Sequence, residues 1–229
     1  VTTPTYPRRD ATFYRARDEA LEQFVGARVA ALQTGYLAKH PDAVATVAKL
    51  RRGSGLPAGS RPEIWAMLLE KMPEILKDES GYTRRERDGA ATAWEQAAHD
   101  ALTLYSWHQR SRDEPLHRQG RRFGAAVRHL GERAGSTDAV RARFHALGTA
   151  STRAGRTVHL RALIGLLRDH RIPLDYGRLA RDLRRLDHPV SARAVLLQWG
   201  RDYYNSAGDS KSPENPTAPD ATTTTGADL

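Results

Sequence analysis

Apolar residues return every three or four positions along most of this chain, and only the α-helix gathers such a period on one side. Leu21, Phe24, Val25 and Leu32 form a first long stripe, and Trp94, Ala97, Ala98, Ala101, Tyr105 and His108 form another. Shorter stripes follow: Phe123, Ala126, Val127 and Leu130; Val140, Phe144 and Leu147; Leu160, Leu163, Ile164 and Leu167. Two more close the series, Tyr176, Leu179, Ala180 and Leu183, then Ala192, Val195, Leu196, Trp199 and Tyr203. Alternation of apolar and polar residues, the mark of a half-buried strand, does not occur along this stretch, and no segment repeats at a fixed period. The predicted fold class is all-α.

Punctuation between the stripes predicts how the helices are grouped. A glycine-rich turn, Gly53 to Gly59, precedes a short helix opening at Pro62, and a polar stretch runs from Asp78 to Asp88. Pro173 stops one helix, Asp175 is placed to cap the next, and Pro189 sits in the first turn of the last. Short connections imply neighbours packed as bundles. The expected organisation is an N-terminal arm over 1–12, an N-terminal helical lobe over 13–115, a C-terminal arginine-rich bundle over 116–205, and a mobile tail over 206–229. The tail carries Ser, Pro, Asp, Gly and Thr, including Thr222 to Thr225, and lacks the apolar groups that could offset the entropy of ordering it.

Composition removes several functions. The 229 residues contain no cysteine, which excludes disulfides, thiolate chemistry and zinc fingers. No run of about 18 apolar residues is present, and the first ten residues are polar with two prolines, so the chain is expected to be soluble and cytoplasmic with no membrane partner. The formal charge of +9 favours a polyanion, because Lys and Arg neutralise phosphates and release their counterions. Its distribution is uneven. Residues 121–205 hold 17 arginines against 7 acids, whereas residues 1–120 hold 18 basic residues against 16 acids. The basic field therefore belongs to the second half.

Several residues could carry chemistry. Arg121 and Arg128, seven apart, are expected to share a face opposite Phe123, with Arg122 beside them. Arg141 and Arg143 flank the Phe144 stripe, Arg153 and Arg156 begin the next helix, and Arg178, Arg181 and Arg185 line the one after. Each alone reads as a solvated residue; as a group, with few acids nearby, they read as a phosphate-binding surface. Arg51 and Arg52 end a helix, where cations also offset its dipole. Trp107, His108 and Arg110 close the helix that starts at Trp94, and fit either a base-stacking cluster or a core Trp with a capping His. His99 and Asp100 are the adjacent pair found in helical metal-dependent phosphohydrolases, but no other histidine has a companion ligand spacing such as HExxH. No Walker glycines, dinucleotide fingerprint or nucleophile elbow is present. No catalytic residue, metal or cofactor is expected; the alternatives are a general helical DNA- or RNA-binding protein and the metal-dependent phosphohydrolase.

Longer stretches add a family resemblance. Ala48-Lys49-Leu50-Arg51-Arg52-Gly53, Leu104-Tyr105-Ser106-Trp107-His108-Gln109, Arg143-Phe144 with Leu147, and His159-Leu160-Arg161 to Leu167 occur in that order. Leu174-Asp175-Tyr176 and Trp199-Gly200-Arg201-Asp202-Tyr203-Tyr204 complete it. Together these resemble the CasB family, the small subunit of the type I-E CRISPR surveillance complex Cascade, over about residues 14 to 204. The resemblance implies a two-lobed helical protein without a catalytic site, packed head to tail with a second copy beside the backbone and large subunits. It also implies a basic surface that helps hold guide RNA and target DNA and carries the displaced strand, stabilising the R-loop. Arg51, Arg52, Arg141 and Arg143 fall in the family's basic motifs, and Arg121, Arg122 and Arg128 lie beside a related stretch, although Ala125 stands where some relatives have a basic group. The nucleic-acid-binding set expected here is Arg51, Arg52, Arg110, Arg121, Arg122, Arg128, Arg141, Arg143 and Arg156.

Overall fold

The structure, a computed structural model, describes residues 11–205, so the tail expected over 206–229 and all but Ala11 and Thr12 of the expected arm lie outside the described residues. In chain order the helices are α1 (Ala11–Leu37), α2 (Pro41–Arg52), α3 (Trp65–Leu69), α4 (Glu74–Lys77), α5 (Arg84–Arg87), α6 (Ala93–Gln109), α7 (Phe123–Arg133), α8 (Thr137–Thr149), α9 (Arg153–Asp169), α10 (Tyr176–Leu186) and α11 (Pro189–Asn205). Single 3-10 turns occupy Pro62–Ile64 and Glu79–Gly81. Among the described residues there is no strand, only an isolated parallel bridge between His117 and Leu174, and the all-α expectation is met.

The starts of α10 and α11 are where the sequence chemistry places them. Asp175 caps α10 by accepting from the Arg178 N–H at 3.0 Å, and α11 opens on Pro189. α6 begins with a capping box: the Thr92 hydroxyl accepts from the Glu95 N–H, and the Glu95 carboxylate accepts from the Thr92 N–H. From there the structure departs from a one-sided stripe. α6 is buried nearly all round, because α1, α2, α9 and α10 all pack against it. Its hydroxyl and amide groups bond internally: the Thr103 and Ser106 hydroxyls donate back to carbonyls three residues earlier, and Gln109 binds the backbone of Arg112, Glu114 and Leu116.

The two halves of the chain share one apolar cluster, from Leu21 and Val25 through Leu102 and Tyr105 to Leu163, Tyr176 and Trp199. The most extensive helix pair joins them: α1 lies against α10. The approach is close because Gly177 faces Gly26 and the Glu22 carbonyl, and a side chain at 177 would meet that oxygen at 2.4 Å. Segment 110–122, where the boundary between lobes is expected, is tied to α1 as well. The Gln33 amide donates to the His117 carbonyl at 3.1 Å and accepts from the His117 N–H at 2.7 Å.

Candidate nucleic-acid interface

Two groups of arginines keep their guanidinium groups toward solvent. In the first, Arg51 and Arg52 end α2, and Arg110 follows the last residue of α6. None of the three has a carboxylate partner among the described residues, and Arg52 and Arg110 are exposed. These cations also lie at helix C-termini, where the dipole favours them. His108, a member of the stripe that the sequence assigns to the core, is there: it is fully buried, 2.9 Å from the Tyr176 hydroxyl, and burial pushes its pKa down to about 3. It is therefore neutral at physiological pH and serves packing, while Trp107 beside it is half-buried.

The second group surrounds α7 and α8. Arg121 and Arg122 precede α7 rather than lying on it, so the seven-residue face expected to join Arg121 to Arg128 does not form. The cause is a tertiary contact: Gly120 adopts a left-handed φ of 81°, its N–H donates to Asp175, and the Arg121 carbonyl accepts from the Asp175 N–H at 2.8 Å. These bonds hold the chain extended up to Phe123. Among the described residues Arg121, which is exposed, has no carboxylate partner, and Arg143 donates to the Ala139 carbonyl. Three others carry acidic neighbours: Arg122 meets Asp202 at 3.1 Å, Arg128 meets Glu132 at 2.8 Å, and Arg141 meets Asp138 at 2.7 Å. The Arg128 and Arg141 pairs face solvent and are weak, so phosphate oxygens can compete for them, whereas Asp202, mostly buried, holds Arg122 more firmly.

Other second-half arginines work inside the molecule. Arg156 is mostly buried and paired with Asp187, Arg181 with Glu22, and the fully buried Arg184 with Asp18. Arg153 binds Asp100 through two parallel hydrogen bonds of 2.9 and 2.8 Å. That last contact bears on the metal-dependent alternative. Both Asp100 oxygens are taken by Arg153, the Gln96 amide adds a third bond at 3.1 Å, and His99 is packed in the core against Gly53. Among the described residues no three of His, Asp and Glu are grouped to hold a metal ion. A guanidinium thus occupies the place that a cation would need. No helix of the described residues is long and apolar enough to cross a membrane.

Sequence reasoning passed over Arg168, although Arg161, Gly165 and Arg168 share the i, i+4, i+7 spacing that would have placed them together on α9.

Known proteins share this fold. The family of CRISPR-associated protein Cse2 matches residues 46–204. Among solved structures, CasB from Thermobifida fusca is 36% identical, covers 80% of this chain and 97% of its own, and superposes with a TM-score of 0.67. A Cse2-family CRISPR-associated protein from Thermus thermophilus is 25% identical over 78% of this chain and 97% of its own, with a TM-score of 0.54. A chain of a CRISPR RNA-guided surveillance complex, 23% identical over 80% and 92% of the two chains with a TM-score of 0.54, shares the fold. No curated protein matches.

Proposed function

The chain belongs to the CRISPR-associated Cse2 family, and from that premise we propose that it is the non-catalytic small subunit of a type I-E Cascade effector complex. In this reading it packs beside the backbone and large subunits with a second copy of itself. It grips the guide RNA, target strand and displaced strand through their phosphates and so stabilises the R-loop. The exchange of a DNA duplex for an RNA–DNA heteroduplex is nearly balanced in free energy, so a few sequence-independent contacts can tip it. The observation that carries the nucleic-acid part is the set Arg51, Arg52, Arg110 and Arg121, whose guanidinium groups have no carboxylate partner among the described residues. An unneutralised guanidinium binds phosphate without first giving up an internal partner. Arg122, Arg128, Arg141 and Arg143 supplement them, and Arg156 is held back by Asp187.

The test is reconstitution of the effector complex with and without this chain, followed by R-loop lifetime across a salt series. Leaving the chain out shortens the lifetime, and changing Arg51, Arg52, Arg110 or Arg121 to Ala weakens the R-loop by about 0.5–1.5 kcal/mol each and flattens the salt dependence. Equal lifetimes with and without the chain refute the reading.

A further inference from the structure

Trp107 stands at the end of α6 with three guanidinium groups around one ring. The guanidinium carbons of Arg161, Arg168 and Arg110 lie 5.1, 5.5 and 5.9 Å from the indole centroid. Gly165 of α9 faces the ring: a Cβ there would stand 3.6 Å from the indole nitrogen, at ordinary van der Waals contact, so Trp107 packs against this part of α9. Arg161 is one turn before Gly165 and Arg168 one turn after it, on the same face. The indole N–H is shielded from water and has no hydrogen-bond partner among the described residues, so packing and the flanking cations hold the ring.

The charge around it is not balanced. Arg168 has Asp169, at 2.9 and 3.0 Å, but that carboxylate is also reached by Arg112 at 3.4 Å. Arg110 and Arg161 have none among the described residues. Arg161 also extends to the turn after α2, with its guanidinium 3.8 Å from where a Cβ on Gly55 would be. That turn follows Arg51 and Arg52. Cations gathered in this way repel one another until an anion sits among them.

We propose that Trp107 is a positioning residue, fixing Arg161 beside the turn that follows α2 and Arg110 at the end of α6, as a clamp for the phosphates of a single nucleic-acid strand. The inference rests on the nucleic-acid role argued above and adds to it a site, a strand path and a reason for the tryptophan. A flat ring orders the guanidinium groups before binding, so less side-chain freedom is lost when phosphate arrives.

The experiment measures affinity of the full chain for a fluorescein-labelled oligothymidine between 50 and 200 mM salt, with melting temperatures alongside. R161A lowers the slope of log affinity against log salt by about 0.7, the loss of one phosphate contact on a single strand. W107L lowers it by as much or more and weakens binding about 3- to 10-fold, whereas W107F, which keeps a flat ring, restores most of it. Oligonucleotide binding also changes the intrinsic tryptophan emission of the native chain, and W107F loses that change. If the native chain binds with a salt-dependent affinity while R161A and W107L keep its slope, Trp107 is a packing residue and this inference alone falls. If the native chain shows no salt-dependent binding, the nucleic-acid reading falls and takes the clamp with it.

Discussion

Replacing Gly177 with Ala tests whether the α1–α10 crossing joins the two halves into one cooperative unit. A Cβ at 177 stands 2.4 Å from the Glu22 carbonyl oxygen and 3.1 Å from the Gly26 Cα. Carbon and oxygen rest at about 3.3 Å or more, so the two helices must part by nearly an ångström. The obstacle is backbone and cannot swing aside. Overpacking of this kind costs about 1–3 kcal/mol. The opposing gain, from removing glycine from a helix, is at most about 1 kcal/mol in an interior and smaller at the second residue of α10. The clash wins, and G177A is expected to lose about 1–2 kcal/mol. With a urea slope of about 2 kcal/mol per molar, the midpoint falls by about 0.5–1 M. G200A is the control: position 200 lies inside α11 with nothing within 4 Å of a new Cβ, and its midpoint rises. Circular dichroism through a urea series reads both. A G177A midpoint at or above the native one refutes the crossing, and two separate transitions in the native chain refute the shared core.

Two further predictions use buried charge. R153M leaves the Asp100 carboxylate, 8% exposed, without its guanidinium; the protein should lose about 3 kcal/mol in thermal or urea unfolding, and D100N added to R153M should recover part of it. If millimolar Mg2+ or Mn2+ raises the melting temperature of the native chain, Asp100 is not committed to Arg153 as described. Asp182 is buried beside Trp199, whose indole donates to it at 2.7 Å, and burial raises its pKa to about 6, with Arg178, Arg181 and Arg185 opposing. Between about pH 4 and 6 the folded chain holds a proton that the unfolded chain has released, so this group makes stability fall as pH rises. His108 acts in the opposite direction, which is why D182N must be subtracted from the native curve. The difference should shrink with rising pH through this window by an amount on the order of 2 kcal/mol in the native chain's disfavour, and a flat difference would show Asp182 ionised throughout.

The fold was legible where one physical signal dominates. The stripes ending in Trp199 and Tyr203 or running from Phe123 to Leu130 each became a helix with those residues buried, and Asp175 capped as its position implied. α6 was only half legible: its apolar stripe marks one buried side, but Thr103, Ser106 and Gln109 are buried as well, and backbone-directed hydrogen bonds that allow a polar side chain to be buried leave no periodic trace. The candidate site shows the same limit. Arg51, Arg52 and Arg110 could be placed from helix ends alone, whereas Arg121 could not be placed on α7. What displaced it was Asp175, some fifty residues away in sequence and adjacent only after folding.

The uneven charge along the chain has a second meaning that arginine counting does not reveal. Acids of the first half meet arginines of the second: Asp18 with Arg184, Glu22 with Arg181, Asp100 with Arg153, and Glu114 with Arg171 at 3.4 Å. Part of the basic surplus after residue 121 is therefore the complement of carboxylates before it, spent in holding α1 and α6 to α9 and α10. Such pairs cost desolvation, but breaking one strands a buried charge, so they specify which helices meet more than they add to stability. The charge available to an external anion is smaller than the regional excess, because these four arginines are paired internally. Substituting Arg181 or Arg184 should accordingly damage folding before it damages binding, and substituting Arg51, Arg110 or Arg121 should do the reverse; melting temperature and oligonucleotide affinity measured on the same samples separate the two classes. If both classes moved the two readouts together, internal pairing would not be what divides these arginines.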